Sequence, residues 1–318
     1  MTASLESLGL SRSDLPLIVS PMFLVSNPDL VTACCRNGVV GSFPTLNQRT
    51  TEGFDAWLKE ISANLDASEG ANPTYGVNLV VHSSNPRQEA DLEVCIENKV
   101  PVIITSLGAV PEVIDRVHAY GGIVLHDVVN IRHARKAVEA GVDGLVLVCA
   151  GAGGHGGLAN PFAFLEEVRG FFDGLVGLAG GITSGQGVAA AVAAGADFAY
   201  VGTRFIPTVE SMAPGKHKQM MLEAELADII YTDAISGIPG NFLRQSIEAA
   251  GVDPELLISP GRVDLGSELK PGSKAWKDIW AAGQGVGAAT TVESAADVIQ
   301  RLRAEYQDTI RRFQTYAA

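Results

Sequence analysis

Cations are scarce in this chain: 23 Lys and Arg stand against 36 Asp and Glu, a formal charge of −13 over 318 residues. No basic stripe offsets the repulsion from phosphates, so nucleic acid is excluded as an expected partner. Cysteine is scarce as well. Cys34, Cys35, Cys95 and Cys149 show no C-x-x-C spacing, so a disulfide framework is not expected, and the four read as reduced, mostly buried thiols. Long apolar runs are missing: the most apolar stretch, 185–202, is interrupted by glycines and Asp197 and makes a poor membrane span. Residues 1–10 carry Glu6 and no basic segment leading into an apolar run. A soluble cytoplasmic protein without a secretory signal is therefore expected. No G-x-S-x-G elbow, Walker A loop or H-E-x-x-H pair is present, which removes the common hydrolase and nucleotide-triphosphatase readings.

What the chain has is apolar residues, 47% of the total, and 35 glycines. The first figure, with the modest charge, excludes a disordered chain. Short β-branched runs alternate with helix-like segments. Strands are predicted over 15–21, 39–44, 75–81, 101–106, 122–128, 144–149, 175–179 and 198–201, and helices between them over 28–37, 51–65, 86–98, 110–119, 131–140, 161–171 and 185–194. Strands that read as continuous apolar runs are buried on both faces, as in a parallel sheet covered by helices. Eight strands with seven intervening helices is the count of a (β/α)8 barrel. A doubly wound open sheet is the alternative, and the strand count disfavours it. Asn37-Gly38, Ala140-Gly141-Val142-Asp143 and Ala194-Gly195-Ala196-Asp197 place Gly where helices stop, and the last two echo one another as A-G-x-D.

After Phe205 the texture changes. Helix patterns over 216–227, 242–250 and 273–282 are mixed with Gly and Pro breaks, with no convincing strand series, and an amphipathic helix over 292–314 follows. The expected division is a barrel made of 1–206 and 291–318, with 207–290 as a mainly helical insertion after strand eight. That insertion falls close to the strand ends where a barrel keeps its active site.

The most distinctive local feature is Gly151-Ala152-Gly153-Gly154-His155-Gly156-Gly157, directly after the sixth strand. Five glycines let backbone approach a flat ligand, and one ionisable side chain stands in their midst. The run satisfies G-x-G-x-x-G formally, but the next strand ends in Ala179-Gly180-Gly181-Ile182-Thr183, without the acidic residue that a dinucleotide ribose requires. Gly180-Gly181 after strand seven and Gly202-Thr203-Arg204 after strand eight stand where barrels commonly bind phosphate, through backbone N–H groups, a hydroxyl and a helix N-terminus. Asn78, inside an apolar run, needs hydrogen-bond partners or a ligand. Met22 and Phe23 offer an apolar wall to a planar ring. His82, His126 and His133 are not expected to converge on a metal, Asp127 is placed to face the site, and Lys216-His217-Lys218 reads as a solvated helix face.

At these residues the sequence resembles the nitronate monooxygenase family, formerly 2-nitropropane dioxygenases, FMN-dependent barrel flavoproteins. The matching stretches are Ser20-Pro21-Met22, Gly76-Val77-Asn78-Leu79, Ala150-Gly151-Ala152-Gly153-Gly154-His155, Ala179-Gly180-Gly181-Ile182, Gly202-Thr203-Arg204-Phe205 and the late Trp280-Ala281-Ala282-Gly283-Gln284-Gly285. The resemblance implies that Pro21, Met22, Phe23, Asn78, Asp127, Gly153, Gly154 and Gln284 contact FMN. It also implies that Gly180, Gly181, Gly202 and Thr203 hold the cofactor's phosphate and that His155 is the catalytic base. Two positions depart from the family pattern: Gly151, where many members carry Glu, and Asp127, where some carry Lys. The implied reaction takes an alkyl nitronate or nitroalkane and O2 to a carbonyl compound and nitrite, without a metal; a homodimer is compatible with it. The alternative the resemblance leaves open is an NAD(P)H-dependent flavin reductase acting on quinones or enoyl thioesters.

Overall fold

The computed structural model describes residues 3–68, 70, 72–235, 237–258 and 278–316. Its first two-thirds alternate strand and helix: β1 (Leu17–Val19), α1 (Pro28–Arg36), β2 (Ser42–Pro44), α2 (Thr51–Asp66), β3 (Gly76–Val80), α3 (Gln88–Glu97), β4 (Val102–Ser106), α4 (Pro111–Ala119), β5 (Ile123–Val128), α5 (Ile131–Ala140) and β6 (Gly144–Val148). After the two-residue β7 (Gly154–His155) come α6 (Pro161–Arg169), β8 (Leu175–Ala179), α7 (Gly185–Ala193) and β9 (Phe198–Val201). All eight expected strands form, and they pair in parallel in the order β1-β9-β8-β6-β5-β4-β3-β2. Ile18 bridges Val40, with Val19 N–H donating to the Val40 carbonyl at 2.8 Å, and this closes the ring. The fold is a (β/α)8 barrel.

Alternation along each strand separates two cores. Ile18, Val102, Ile104, Leu125, Val146, Phe198 and Tyr200 form the barrel interior, joined by Leu5, Leu8 and Leu10. Their neighbours one residue away, among them Val77, Leu79, Ile103, Val124, Leu145 and Val176, pack outward against helix residues such as Phe54, Leu58, Val117 and Leu165. The A-G-x-D echo is structural. Asp143 and Asp197 each donate backbone N–H to the second residue of the preceding barrel strand, Val124 and Val176, and each accepts that residue's N–H on its carboxylate at 2.8 Å. All four cysteines are buried and free of disulfides.

After β9 come α8 (Gly215–Glu223), β10 (Ile229–Thr232), β11 (Gly240–Leu243), α9 (Arg244–Ala249) and α10 (Ala295–Tyr316), the last of which packs back on β1 and β9 of the barrel. The region is largely helical and irregular, yet it contains a strand pair that local periodicity does not announce. β10 and β11 run antiparallel, and β11 pairs in turn with β7 through Gly240–His155 and Asn241–Gly154. The helix expected from residue 242 therefore starts at Arg244, because Phe242 and Leu243 are buried in the strand. Gly240 permits the pairing: a Cβ there would stand 2.7 Å from the Gly154 carbonyl. The helix expected over 273–282 lies mostly outside the described residues, and its described end is not helical, with Ala281 bridging Phe242. Among the described residues no helix is long and apolar enough to cross a membrane.

Candidate active site

A cavity of about 1160 Å³ opens over the C-terminal ends of the barrel strands, between them and the residues that follow β9. Inward positions at the strand ends supply polar groups to its floor: Ser20, Asn78, Ser106, Asp127 and Tyr200. Asn78 Nδ2 donates to the Ile104 carbonyl at 3.0 Å and to Ser106 Oγ at 2.7 Å, and Ser106 Oγ donates to Asp127 Oδ2 at 2.8 Å. With both amide protons used inside the protein, Asn78 has its Oδ1 left to meet a ligand. Asp127 Oδ1 and the Tyr200 hydroxyl are buried without a protein partner. Burial pushes the Asp127 carboxyl up to about 7, the Ser106 hydrogen bond only partly opposing it. Burial, aided by the neighbouring Asp127, drives the Tyr200 phenol well above its ordinary value.

The glycine loops form the opposite side. Gly180 (φ +127°) and Gly181 (φ +67°) adopt backbone that favours glycine. A Cβ on Gly180 would press on the Ala150 carbonyl at 2.6 Å, whereas one on Gly181 would meet open space. A Cβ on Gly202 would collide with Ser20 Oγ. Thr203 Oγ1 accepts from Gly283 N–H at 2.9 Å, which ties the late glycine segment to the end of β9. The helix N-terminus expected to assist is already satisfied: Ser184 Oγ accepts from Gly187 N–H, and a Glu305 carboxylate oxygen accepts from Gly185 N–H at 2.7 Å.

His155 lies in β7, and the loop around it is pinned by β10 and β11. Asn241 Nδ2 donates to the Ala152 carbonyl at 2.6 Å, and the Tyr231 hydroxyl donates to the Gly156 carbonyl at 3.1 Å. Burial lowers His155 to about 4, so its imidazole is neutral at physiological pH. A second histidine borders the cavity where a solvated face was expected. His217 is buried, stacked on Trp280 with ring centroids 4.9 Å apart and planes within 14°, and its Nε2 has no protein partner. Lys218 beside it also turns inward, donating to the carbonyls of Thr208 and Ser211. The flanking charges make Lys216-His217-Lys218 look solvated, but the helix is packed under Trp280.

The structure brings Pro21, Met22 and Phe23, Asn78 and Asp127, Gly153, Gly154 and His155, and Gly180, Gly181, Gly202 and Thr203 to this one cavity. It does not bring Gln284, which is exposed and outside the cavity wall. Gln284 lies instead against Gly151, whose φ is +85° and whose Cβ, if present, would stand 2.9 Å from Gln284 Oε1. Ser106, Tyr200 and His217 are the groups sequence reasoning passes over; the inward alternation of the fourth and eighth strands is the signal that finds the first two. His126 donates to or accepts from Thr105 Oγ1 at 2.7 Å. Among the described residues no three His, Cys, Asp or Glu side chains converge as metal ligands.

A closed (β/α)8 barrel with glycine loops after its last two strands and a half-buried histidine at its mouth suits a flavin-type oxidoreductase. The chain belongs to the nitronate monooxygenase family, whose family model matches residues 7–305, and membership carries an FMN-binding oxidoreductase fold. It is 28% identical to a nitronate monooxygenase of Paraburkholderia phytofirmans, over 96% of this chain and 95% of that one. Among solved structures it is similar to a point variant of FabK from Thermotoga maritima, with TM-score 0.81 and 25% identity over 98% of each chain. It is also similar to a nitroalkane oxidase from Streptomyces ansochromogenes, with TM-score 0.75 and 26% identity over 94% of this chain and 97% of that one.

Proposed function

We propose that the protein binds FMN in this cavity and oxidises alkyl nitronates or nitroalkanes with O2 to a carbonyl compound and nitrite. The observation that carries the reading is a neutral, half-buried imidazole at the cavity wall, His155, in a cavity that also takes in the glycine backbone of Gly180, Gly181 and Gly202. The residues present suit the cofactor. Gly181, with open space over its Cα, and the loop at Gly202 and Thr203 would hold the phosphate. Asn78 Oδ1 and the unpartnered Asp127 Oδ1 and Tyr200 hydroxyl would meet polar edges of the ring, with Pro21, Met22 and Phe23 beside it and Gly153 and Gly154 leaving it room. Bound FMN supplies the redox chemistry, taking electrons from the substrate and passing them to O2.

The protein's part is positional. A ring nitrogen of His155 takes the α-proton of a nitroalkane, or faces a nitronate already formed, while the β7–β11 pairing holds the ring in place. Residues 207–290 would shape the substrate side. Anaerobic mixing tests the reading: a nitronate should bleach the flavin, and His155→Ala should keep its yellow colour and lose about 10²- to 10⁴-fold in turnover. Protein that yields no FMN on heating would sink every flavin reading. Fast anaerobic bleaching by NAD(P)H, with none by nitronates, would establish the second reading, a flavin reductase acting on quinones or enoyl thioesters. The cavity's size favours keeping it, since about 1160 Å³ exceeds what one small ligand requires.

A further inference from the structure

A second imidazole borders the cavity with a ring nitrogen that the protein leaves unused. His217, on α8, is 2% exposed, and Trp280 stacks on its ring with the planes within 14° of parallel. Its ring hydrogen-bonds to the Ala281 backbone, and Nε2 is buried with no partner among the described residues, so that bond belongs to Nδ1. The bond favours the protonated ring, as donation to a carbonyl does, and burial outweighs it, holding the imidazole neutral at about 4. Nδ1 therefore carries the one ring proton, and Nε2 presents a bare lone pair. The ring is fixed from several sides, since the next residue, Lys218, donates to the Thr208 and Ser211 carbonyls and anchors the helix. A rigid, buried acceptor without a donor is destabilising by itself, and a ligand that brings the donor removes the penalty.

The surroundings of His217 put it on the substrate side. Its helix belongs to the segment after β9, across the cavity from the strand ends whose polar groups suit the flavin. Ala281, to which it is bonded, adjoins the loop of the other imidazole: a Cβ on Gly154, the residue before His155, would stand 3.9 Å from the Ala281 Cβ. We propose that His217 Nε2 is a specificity-determining acceptor for a hydroxyl group of the substrate, so that the preferred substrates are short hydroxylated nitronates, the anions of nitro alcohols. That substrate class rests on the nitronate reading above. The oxygens of a nitronate only accept hydrogen bonds, so they have nothing to give Nε2, and the charged end of the substrate lies elsewhere in the cavity. A methyl group in place of the hydroxyl fills the same space and leaves the nitrogen bare, which is how such a site discriminates.

The test uses pairs that differ only in hydroxyl against methyl, on the FMN-loaded protein. The nitronates of 3-nitro-1-propanol and 1-nitrobutane are compared in turnover. Their unreactive carboxylate counterparts, 4-hydroxybutanoate and pentanoate, are compared in binding by calorimetry. His217→Phe keeps a ring against Trp280 and removes the acceptor, and His217→Gln offers an amide oxygen in its place. The parent should favour the hydroxyl member of each pair by at least about tenfold, in kcat/KM and in affinity. His217→Phe should lose that preference and His217→Gln recover part of it, with FMN affinity alike in all three. Where His217→Phe does not fold, His217→Met makes the same comparison. A parent that does not discriminate or binds neither acid, or a preference that survives loss of the imidazole, overturns the proposal and leaves water as the partner of Nε2. Weakened FMN binding in His217→Phe with the preference intact overturns it as well, in favour of a hydroxyl of the cofactor. If neither nitronate is turned over, the nitronate reading fails instead, and the two acids still decide whether His217 selects a hydroxyl.

Discussion

Ser106 donates to one oxygen of Asp127 at 2.8 Å, and the other oxygen of that carboxyl is buried with no protein partner. Among the described residues Asp127 has no ion-pair partner, and burial holds the acid up to about 7. The folded protein then grips this proton more tightly than the unfolded chain does between pH 3.8 and about 7. The resulting stabilisation is complete below that window and lost above it. Asp127→Asn removes the titration, so in flavin-free protein it should gain on the parent as pH rises from 4 to 8, by at most about 4 kcal/mol. Urea unfolding of both proteins at pH 5 and pH 8 measures the gap; a gap that does not widen with pH contradicts the assignment.

His155 sets a different pH signature. An ordinary imidazole titrates at 6.5, whereas burial brings this one to about 4. A base must be unprotonated to act, so kcat/KM should stay flat from pH 8 down to about 5 and fall only toward pH 4. An acid limb centred near 6.5 in steady-state kinetics would mean that another group is the base.

Gly185 lies under α10. A Cβ there would fall well inside contact distance of the Leu302 carbonyl and the Tyr306 amide. Helix propensity alone would reward Gly185→Ala by about 1 kcal/mol, but backbone against backbone cannot yield as a side chain can. A net loss of about 1–3 kcal/mol is expected in chemical denaturation. A Cβ at Gly187 in the same helix would come no nearer than 3.3 Å, to the Ile182 methyl, and Gly187→Ala should change stability by less than about 1 kcal/mol.

Gly151 and Gln284 occupy one another's space. Any side chain at Gly151 must adopt φ +85° and displace Gln284. Gly151→Glu should therefore destabilise by about 1–3 kcal/mol, and Gln284→Ala in the same chain should recover part of the loss. Thermal melts of the single and double variants report the coupling, which vanishes if the two positions are independent.

The barrel was legible because its strands are buried on both faces and read as unbroken apolar runs; α5 forms over the predicted 131–140, capped by Asn130 and stopped at Gly141. The glycine clusters and His155 were legible for a related reason, since loops after barrel strands have few other uses for so much glycine. What stayed hidden depends on partners distant in sequence. Phe242 belongs to a strand because it pairs with Ile230 of β10 and bridges Ala281, some 40 residues later. His217 is buried only because Trp280 covers it. Gln284 sits in a family motif, but a motif fixes backbone position and not which way a side chain leaves it.

α10 follows every other described element in sequence, yet Ala295, Val298, Ile299, Leu302 and Tyr306 cover the seam between β1 and β9, and Tyr306 donates its hydroxyl proton to the Arg12 carbonyl at 2.7 Å. A ribosome releases the beginning of this protein long before it releases the segment that shields it. A nascent chain halted at residue 290 would already contain every residue that lines the cavity, the last of them Gly285. It would still display an uncovered apolar seam to chaperones and proteases. The surface that distinguishes a finished copy from an unfinished or clipped one thus lies on the barrel's outer wall, away from the cavity.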